Sequence, residues 1–228
     1  MKTATEFLEE IARNPDDDAP RLAYSEWLIG RKDPRGEFIR NQIILAGMQP
    51  TDPAWIGLKQ REKLLLKKYA EAWNADLPAW ARHRAPTFYR GFPEISCQID
   101  DWMRGARNLA KLLPLFRVNM KATSKTLAKL ADSEELQAAR LLDLSNSPID
   151  DHSLAKLVAS PNVANLTGLH IWHCGLGSDA ARAIAASPHL AGLTRLVMEE
   201  NRVAAEGIAA LGVCPDTSSD LGITERMR

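Results

Sequence analysis

Three short stretches in the second half of the chain decide the fold: RLLDLSNSPI at residues 140–149, GLHIWHCGL at 168–176 and RLVMEENRV at 195–203. Each has a leucine, an apolar residue two positions later, a small polar residue three further on, and an apolar residue two after that. The leading leucines are 27 residues apart in both intervals: Leu142, Leu169 and Leu196. The stretches are therefore predicted to be copies of one structural unit.

The segments between these stretches have apolar residues at helical spacing, and they repeat with the same offset. The repeated positions are Leu127, Leu154, Ala181 and Ile208, followed by Leu130, Leu157, Ile184 and Leu211. Alternating apolar residues predict a strand with one buried face, and the intervening pattern predicts an amphipathic helix. Because one strand–helix unit cannot bury both elements alone, we expect neighbouring units to stack.

The repeat weakens on both sides. Upstream, PEISCQI (93–99) predicts a strand and DWMRGARNLAKLL (101–113) its helix, while VNM (118–120) predicts a strand in a slightly altered register. We therefore count three clear units and two degenerate ones. Downstream, residues 216–228 are compatible with a short capping strand or with a disordered tail.

The repeated stretches resemble the leucine-rich repeat, and the 27-residue length resembles the ribonuclease-inhibitor type. The resemblance implies an α/β fold in which a short leucine-rich repeat solenoid has parallel strands on its concave side and helices outside. It also implies that Ser147, Cys174 and Asn201 point inward and bond loop amides.

The first part of the chain predicts a small all-helical module that precedes the repeats. Thr3 and Glu6 have the spacing of a capping box, which opens a helix over TEFLEEIAR. Three more helices are predicted to begin where an aspartate lies one or two residues before a proline. The predicted N-caps are Asp18, Asp33 and Asp52.

The stretches PDDDAPRLAYSEWL (15–28) and KDPRGEFIRNQ (32–42) resemble the repeat-companion domain of bacterial leucine-rich repeat proteins. Ser25–Glu26 and Lys32 depart from the usual Ala-Asp and Gly of that family, and RGFPE (90–94) resembles its junction with the repeats. The resemblance specifies architecture and brings no established biochemical activity. The predicted division is a helical repeat-companion module (1–48), a long helix with a connecting segment (49–90), the solenoid (91–215) and the terminal segment (216–228).

The composition of the chain argues against nucleic acid and membranes as partners. The chain has 29 basic and 29 acidic residues, so it has no net field that would steer it onto nucleic acid or an anionic membrane. The start, MKTATEFLEE, has no apolar signal region, and no long apolar run follows. The cysteines at 97, 174 and 214 form no CxxC pair. We expect a cytoplasmic protein that binds neither nucleic acid nor membrane.

Two clusters of residues are candidates for metal binding or catalysis. The run Asp16–Asp18 could hold a metal, but capping of a helix is the favoured interpretation, with Arg21, Asp33 and Arg35 as candidate partners of these acids. His170, His173 and Cys174 could suggest zinc or a nucleophile, but strand alternation turns His170 outward and Cys174 inward. No catalytic motif is present, so we predict no enzyme activity and no catalytic, cofactor-binding or metal-binding residues.

Trp172 is the most informative exposed position. Alternation turns it outward, where it either packs on the N-terminal helices or a loop, or serves as a binding anchor. The predicted partner-binding surface consists of Trp172, His170, Asp143, Ser145, Val197 and Glu199. Strands about 4.8 Å apart make a ribbon ~20 Å wide, which offers on the order of 800 Å² to a partner.

The resulting functional prediction is a non-catalytic scaffold or adaptor that binds a protein through its concave strand face. Two alternatives stay open. One is a metal-binding, small-ligand-binding or enzymatic module at the acidic N-terminal helices. The other is a structural protein that self-assembles through the edges of its sheet. The sequence leaves the oligomeric state and the identity of the partner undetermined.

Overall fold

A computed structural model describes residues 2–13, 17–75, 77–82, 87–112, 117–212 and 222–223. The chain is α/β, as predicted, and it divides into two compact units. The first comprises Met1–Ile95 with Leu109–Phe116, and the second comprises Ser96–Asn108 with Arg117–Arg228. The predicted segments 1–48 and 49–90 lie together in the first unit.

Helices and a hairpin form the described part of the first unit up to residue 94. The helices are α1 (Ala4–Arg13), α2 (Ala19–Ile29), α3 (Pro34–Ala46) and α4 (Pro53–Ala75). A short 3-10 helix, Ala79–Ala81, is followed by the antiparallel strands β1 (Phe88–Tyr89) and β2 (Phe92–Pro93). Within the described residues, no helix combines the length and apolarity needed to cross a bilayer.

The predicted caps are present at the starts of α1, α3 and α4. Thr3 and Glu6 form the predicted capping box, with the Thr3 amide donating to Glu6 Oε2 at 2.6 Å. Asp33 accepts a hydrogen bond from the amide of Arg35, and Asp52 accepts one from the amide of Ala54, both at 2.9 Å. Each bond satisfies an amide that the first helical turn leaves without a partner.

Asp18 is the N-cap residue of α2, as predicted, but it has helical backbone angles and its side chain makes no capping bond. Asp17 supplies that bond, since its Oδ1 accepts from the amide of Ala19 at 2.9 Å. The Asp18 carboxylate instead lies 3.5 Å from Arg21 Nη1 and 3.1 Å from Arg90 Nη1. The acidic run is therefore partly a cap and partly an ion-pair partner, and Asp16 lies outside the described residues.

Close backbone approach fixes the packing of this unit. A side chain at Gly36 would come within 2.5 Å of the Ser25 carbonyl oxygen, so glycine lets α3 lie directly against α2. Gly91, in the turn between β1 and β2, has a φ of +89°, and a Cβ there would reach Ile39 at 2.3 Å. The aromatic residues Phe38, Trp73 and Phe88 pack together, which joins α4 and the hairpin to α3.

The second unit alternates strands and helices, and its first strand and first helix include residues of the first unit, Ile95 and Leu109–Leu112. Its strands are β3 (Ile95–Gln98), β4 (Arg117–Lys121), β5 (Leu141–Asp143), β6 (Gly168–His170), β7 (Arg195–Val197) and β8 (Gly222–Ile223). The helices are α5 (Ile99–Leu112), α6 (Ser124–Ala131), α7 (Asp151–Val158), α8 (Ser178–Ala186) and α9 (Ala205–Ala210), with 3-10 turns at Glu134–Ala138 and Pro161–Val163. The strands lie in sequence order in one sheet.

The 27-residue period sets the register of the central strands. Leu142 pairs with Leu169, and Leu169 pairs with Leu196, in parallel ladders. The helices that follow these strands also pack consecutively, α6 on α7, α7 on α8 and α8 on α9. Each copy of the sequence pattern is therefore one strand–helix unit that lies beside the next.

The strands on either side of β5–β7 explain why the pattern weakens there. Val118 of β4 pairs with Leu142, a separation of 24 residues, so the altered register predicted for VNM is confirmed. On the other side, at the edge of the sheet, β8 runs antiparallel to β7, with Ile223 opposite Leu196. A strand that reverses direction cannot continue the parallel repeat. The rest of the predicted terminal segment lies outside the described residues.

The inward positions of the central strands follow the prediction. Their side chains are each at most 2% exposed: Leu142, Leu144, Leu169, Ile171, Leu196 and Met198. On the other face of the sheet, between them, Asp143 is buried, and His170 and Val197 are partly buried. The side chains therefore alternate between the two faces with a period of two.

A polar ladder connects the loops that follow the strands. Ser147 Oγ accepts from the Ala122 amide at 3.0 Å. Asn201 Oδ1 accepts from the amides of Cys174 and Leu176 at 3.0 Å each, and its amide nitrogen donates to the Ile171 carbonyl at 2.7 Å. These side chains lie at the positions expected to bond loop amides, and they satisfy backbone groups that the short strands leave open.

Candidate functional site

The candidate site is the sheet face opposite the buried leucines, which we call the outer strand face. Strand register places Asp143 beside His170, and His170 beside Val197. The next row follows the strand ends and consists of Lys121, Ser145, Trp172 and Glu199. Lys121 Nζ donates to the Ser145 carbonyl at 2.7 Å, and the Trp172 amide donates to Ser145 Oγ at 3.2 Å.

Trp172 is the large apolar side chain of this face. It is 37% exposed, whereas Leu169 and Ile171, which precede it on the same strand segment and point inward, are fully buried. Its ring lies 5.4 Å from that of His173 at a tilt of 38°. Trp172 therefore combines a fixed backbone with an aromatic surface that remains accessible to a second molecule.

The structure corrects the prediction that Asp143 contacts a partner, because its side chain has almost no exposed surface. It is 3% exposed, and its Oδ2 accepts from Arg117 Nη2 at 2.6 Å. Its other oxygen accepts from the Ser145 amide at 3.0 Å, and His170 Nδ1 lies 3.8 Å away. The physical reason is that Arg117 from the neighbouring strand reaches the carboxylate. Asp143 is thus a buried support of the outer strand face.

The electrostatics of this support favour an ionised carboxylate. Burial alone would raise the pKa of Asp143, but the nearby His170 ring and the hydrogen bonds from Arg117 and Ser145 outweigh it, so the pKa lies well below its ordinary value. A buried charge that is paired and hydrogen-bonded in this way holds its neighbours in one arrangement. Asp143 therefore fixes Arg117 and the backbone at Ser145, in the row that contains Trp172.

Three residues of this face were missed by sequence reasoning. Arg117, Asn119 and Lys121 belong to β4, where the spacing to the next strand is 24 residues and a strict 27-residue shift points elsewhere. The available signal was the alternation of Val118 and Met120, both fully buried, which turns these three side chains to the opposite face. Arg117 and Lys121 add positive charge at one side of the predicted surface.

The turn that follows each strand has a left-handed residue at equivalent positions. Asn146, His173 and Glu200 have φ values of 57°, 51° and 55°. Asparagine and histidine adopt this conformation more readily than most non-glycine residues, whereas glutamate is strained in it. Of these three turns, the one at Glu200 therefore has the least suitable residue.

We predict that Glu200→Asn raises the free energy of unfolding by about 1 kcal/mol, because asparagine relieves this strain. Glu200 is exposed, so the change should disturb no packing. The measurement is urea unfolding followed by circular dichroism. Glu199→Asn is the matched control and should give no gain, since Glu199 is not among the left-handed residues. Equal effects of both changes would contradict the interpretation.

The predicted inward orientation of Cys174 agrees with its position. Cys174 is 6% exposed, and its Sγ donates to the Leu144 carbonyl at 3.3 Å. Burial raises the pKa of the Cys174 thiol, and it raises the pKa of Cys97 to about 12. Since the thiolate is the reactive form, neither environment favours a nucleophile.

The acidic residues do not assemble a metal site in the part of the chain that the structure describes. No three His, Cys, Asp or Glu side chains come together there in a way that could hold a metal ion. A scan against protein-family models gives no match to this chain, and a search of curated proteins gives none either. The functional argument consequently rests on the geometry of the outer strand face.

Proposed function

We propose that this protein is a non-catalytic scaffold that binds a protein partner through the outer strand face. The same proposal treats the second unit as a short leucine-rich repeat solenoid of the ribonuclease-inhibitor type and the helical start as a repeat-companion module. Support for the repeat comes from the in-register leucines and from the loop ladder centred on Asn201.

The observation on which the binding proposal depends is the exposure of Trp172 on a rigid support. Tryptophan anchors are frequent where proteins bind each other, because a large ring buries much area at low entropic cost. Ser145 and Glu199 lie on either side of Trp172 in the repeat, and Lys121 extends the row, so hydrogen-bonding and charged groups surround one aromatic ring. This is the arrangement of an apolar centre with a polar rim.

The chemistry of the face favours protein over nucleic acid. The row has basic Lys121 at one end and acidic Glu199 at the other, and the whole chain is neutral. A polyanion would need a uniformly basic surface. We further propose a cytoplasmic location, supported by the free thiols of Cys97 and Cys174.

The proposal is tested by placing a photo-crosslinking amino acid at position 199 and irradiating cells that express the full chain. We expect a discrete adduct with a second protein. The adduct should disappear when Trp172→Ala is added, because the anchor is then lost. The same crosslinker at position 152, an exposed site on α7, is the matched control and should give no such adduct.

Two outcomes would overturn the binding proposal. Adducts from position 199 that persist in Trp172→Ala would remove the role of the aromatic anchor. An adduct whose mass equals two copies of this chain would favour self-assembly instead. Circular dichroism spectra of all variants must be unchanged, so that loss of an adduct reports on the surface and not on folding.

A further inference from the structure

A second surface lies on the first unit, independent of the outer strand face. A groove of about 510 Å³ lies between the start of α3 and the middle of α4. Its apolar lining includes Leu64, Leu65 and Tyr69. Leu65 is buried, but Leu64 is 60% exposed, which is unusual for a leucine on a helix that already packs on its other side. The groove therefore has an apolar wall with no cover among the described residues.

The charged side chains that line this groove have a net positive charge. Glu37 forms an ion pair with Arg61, which donates to both carboxylate oxygens at 2.6 Å. That bidentate pair lowers the pKa of Glu37 and leaves no net charge. Lys67 and Lys68 also line the groove, and neither forms an ion pair with a carboxylate of the described residues. Two cations thus stand beside exposed Leu64 in a chain with equal numbers of acidic and basic residues.

The geometry points to this groove, which we call the α3–α4 groove, as a docking site for a short acidic peptide segment of another protein. An apolar side chain of that segment would cover Leu64 and Tyr69, while its carboxylates would pair with Lys67 and Lys68. The two lysines favour a segment with acidic residues, because opposite charges attract across an interface. The apolar wall favours a segment that also has at least one large hydrophobic residue.

Other anionic partners fit the α3–α4 groove less well. The phosphates of a nucleic acid could pair with Lys67 and Lys68, but its backbone has no apolar group that would cover Leu64. A lipid surface needs several apolar side chains to insert, whereas the large hydrophobics exposed on α4 are Ile56 and Leu64, two turns apart. A volume of 510 Å³ lies within the range of pockets that enclose a few side chains.

The test is selection of random dodecapeptides displayed on phage against the immobilised full-length chain. Parallel selections use the charge-reversed variant Lys67→Glu/Lys68→Glu and the control Lys125→Glu/Lys129→Glu. The control makes the same change in net charge on α6, where both lysines are exposed. Selected peptides are then synthesised, and their affinities are measured by fluorescence anisotropy against all three proteins and against Leu64→Ser.

We expect peptides in which Asp or Glu flank Leu, Ile or Phe. Their affinity should fall about tenfold or more for Lys67→Glu/Lys68→Glu and for Leu64→Ser, and should change less than twofold for the control. Failure to recover acidic peptides, or equal binding to all variants, would overturn the proposal. So would preferential binding of anionic lipid vesicles or of an oligonucleotide that depends on the same lysines. None of these results bears on Trp172, so the two proposals fail separately.

Discussion

Leu169→Ala is expected to lower the free energy of unfolding by about 3 kcal/mol. Leu169 is fully buried and lies between Leu142 and Leu196 in the ladder. Truncation of a buried leucine removes its transfer free energy and leaves a cavity, because neighbouring strands relax only in part. The measurement is equilibrium unfolding in urea, with the slope of the transition checked for two-state behaviour.

Val197→Ala is the matched control for this prediction. Val197 lies on β7 and faces the outer side of the sheet, where it is only partly buried. Its truncation should cost less than about 1 kcal/mol, because little packing is lost. Equal costs for the two substitutions, or a larger cost for Val197→Ala, would mean that the strand faces have been assigned the wrong way round.

Asp143→Asn is expected to cost about 2–3 kcal/mol at neutral pH. The substitution keeps the shape of the side chain but leaves Arg117 without its buried carboxylate. Breaking a buried ion pair costs more than losing a surface pair, although the 31% exposure of the Arg117 side chain lets water reduce the penalty. Asp179→Asn, at a side chain that is 76% exposed and paired with Arg182, is the control and should cost less than about 0.5 kcal/mol.

The same substitution makes a prediction about pH. The pKa of Asp143 is depressed in the folded state, so its contribution to stability is fully present above the unfolded-state pKa of about 4. The contribution is lost progressively as the pH falls from there through the folded-state pKa. The difference in stability between the wild type and Asp143→Asn should therefore be constant from pH 7 to pH 5 and should shrink at pH 3. A difference that stays constant or grows at pH 3 would contradict the ion-pair interpretation.

Much of the second unit follows from sequence because its signals are local and repeated. A leucine every second residue defines a buried strand face, and a fixed offset forces consecutive strands into one register. Leu142, Leu169 and Leu196 could thus be aligned without any knowledge of tertiary contacts. The starts of α3 and α4 can be predicted equally well from sequence. Asp33 and Asp52 each accept a hydrogen bond from an amide only two residues later, so the capping signal is local.

The features that sequence missed depend on contacts between distant residues. Asp143 was expected at the surface because alternation says only which way a side chain points, not what covers it. The Arg117 guanidinium comes from a strand whose spacing departs from the period, so no repeat pattern could pair the two. Sequence places Asp18 correctly at the N-cap, but it does not show that the distant Arg90 lies 3.1 Å from the Asp18 carboxylate or that Asp17 supplies the capping bond.

The most direct test of the proposed binding surface is the affinity of the protein recovered by crosslinking at position 199. Its dissociation constant would be measured by calorimetry for the wild type and for Trp172→Ala, with both shown to unfold at the same urea concentration. We expect a loss of at least tenfold, since truncation of a central aromatic anchor costs about 2 kcal/mol or more. Affinities within twofold of each other would contradict the assignment of the outer strand face as the binding surface.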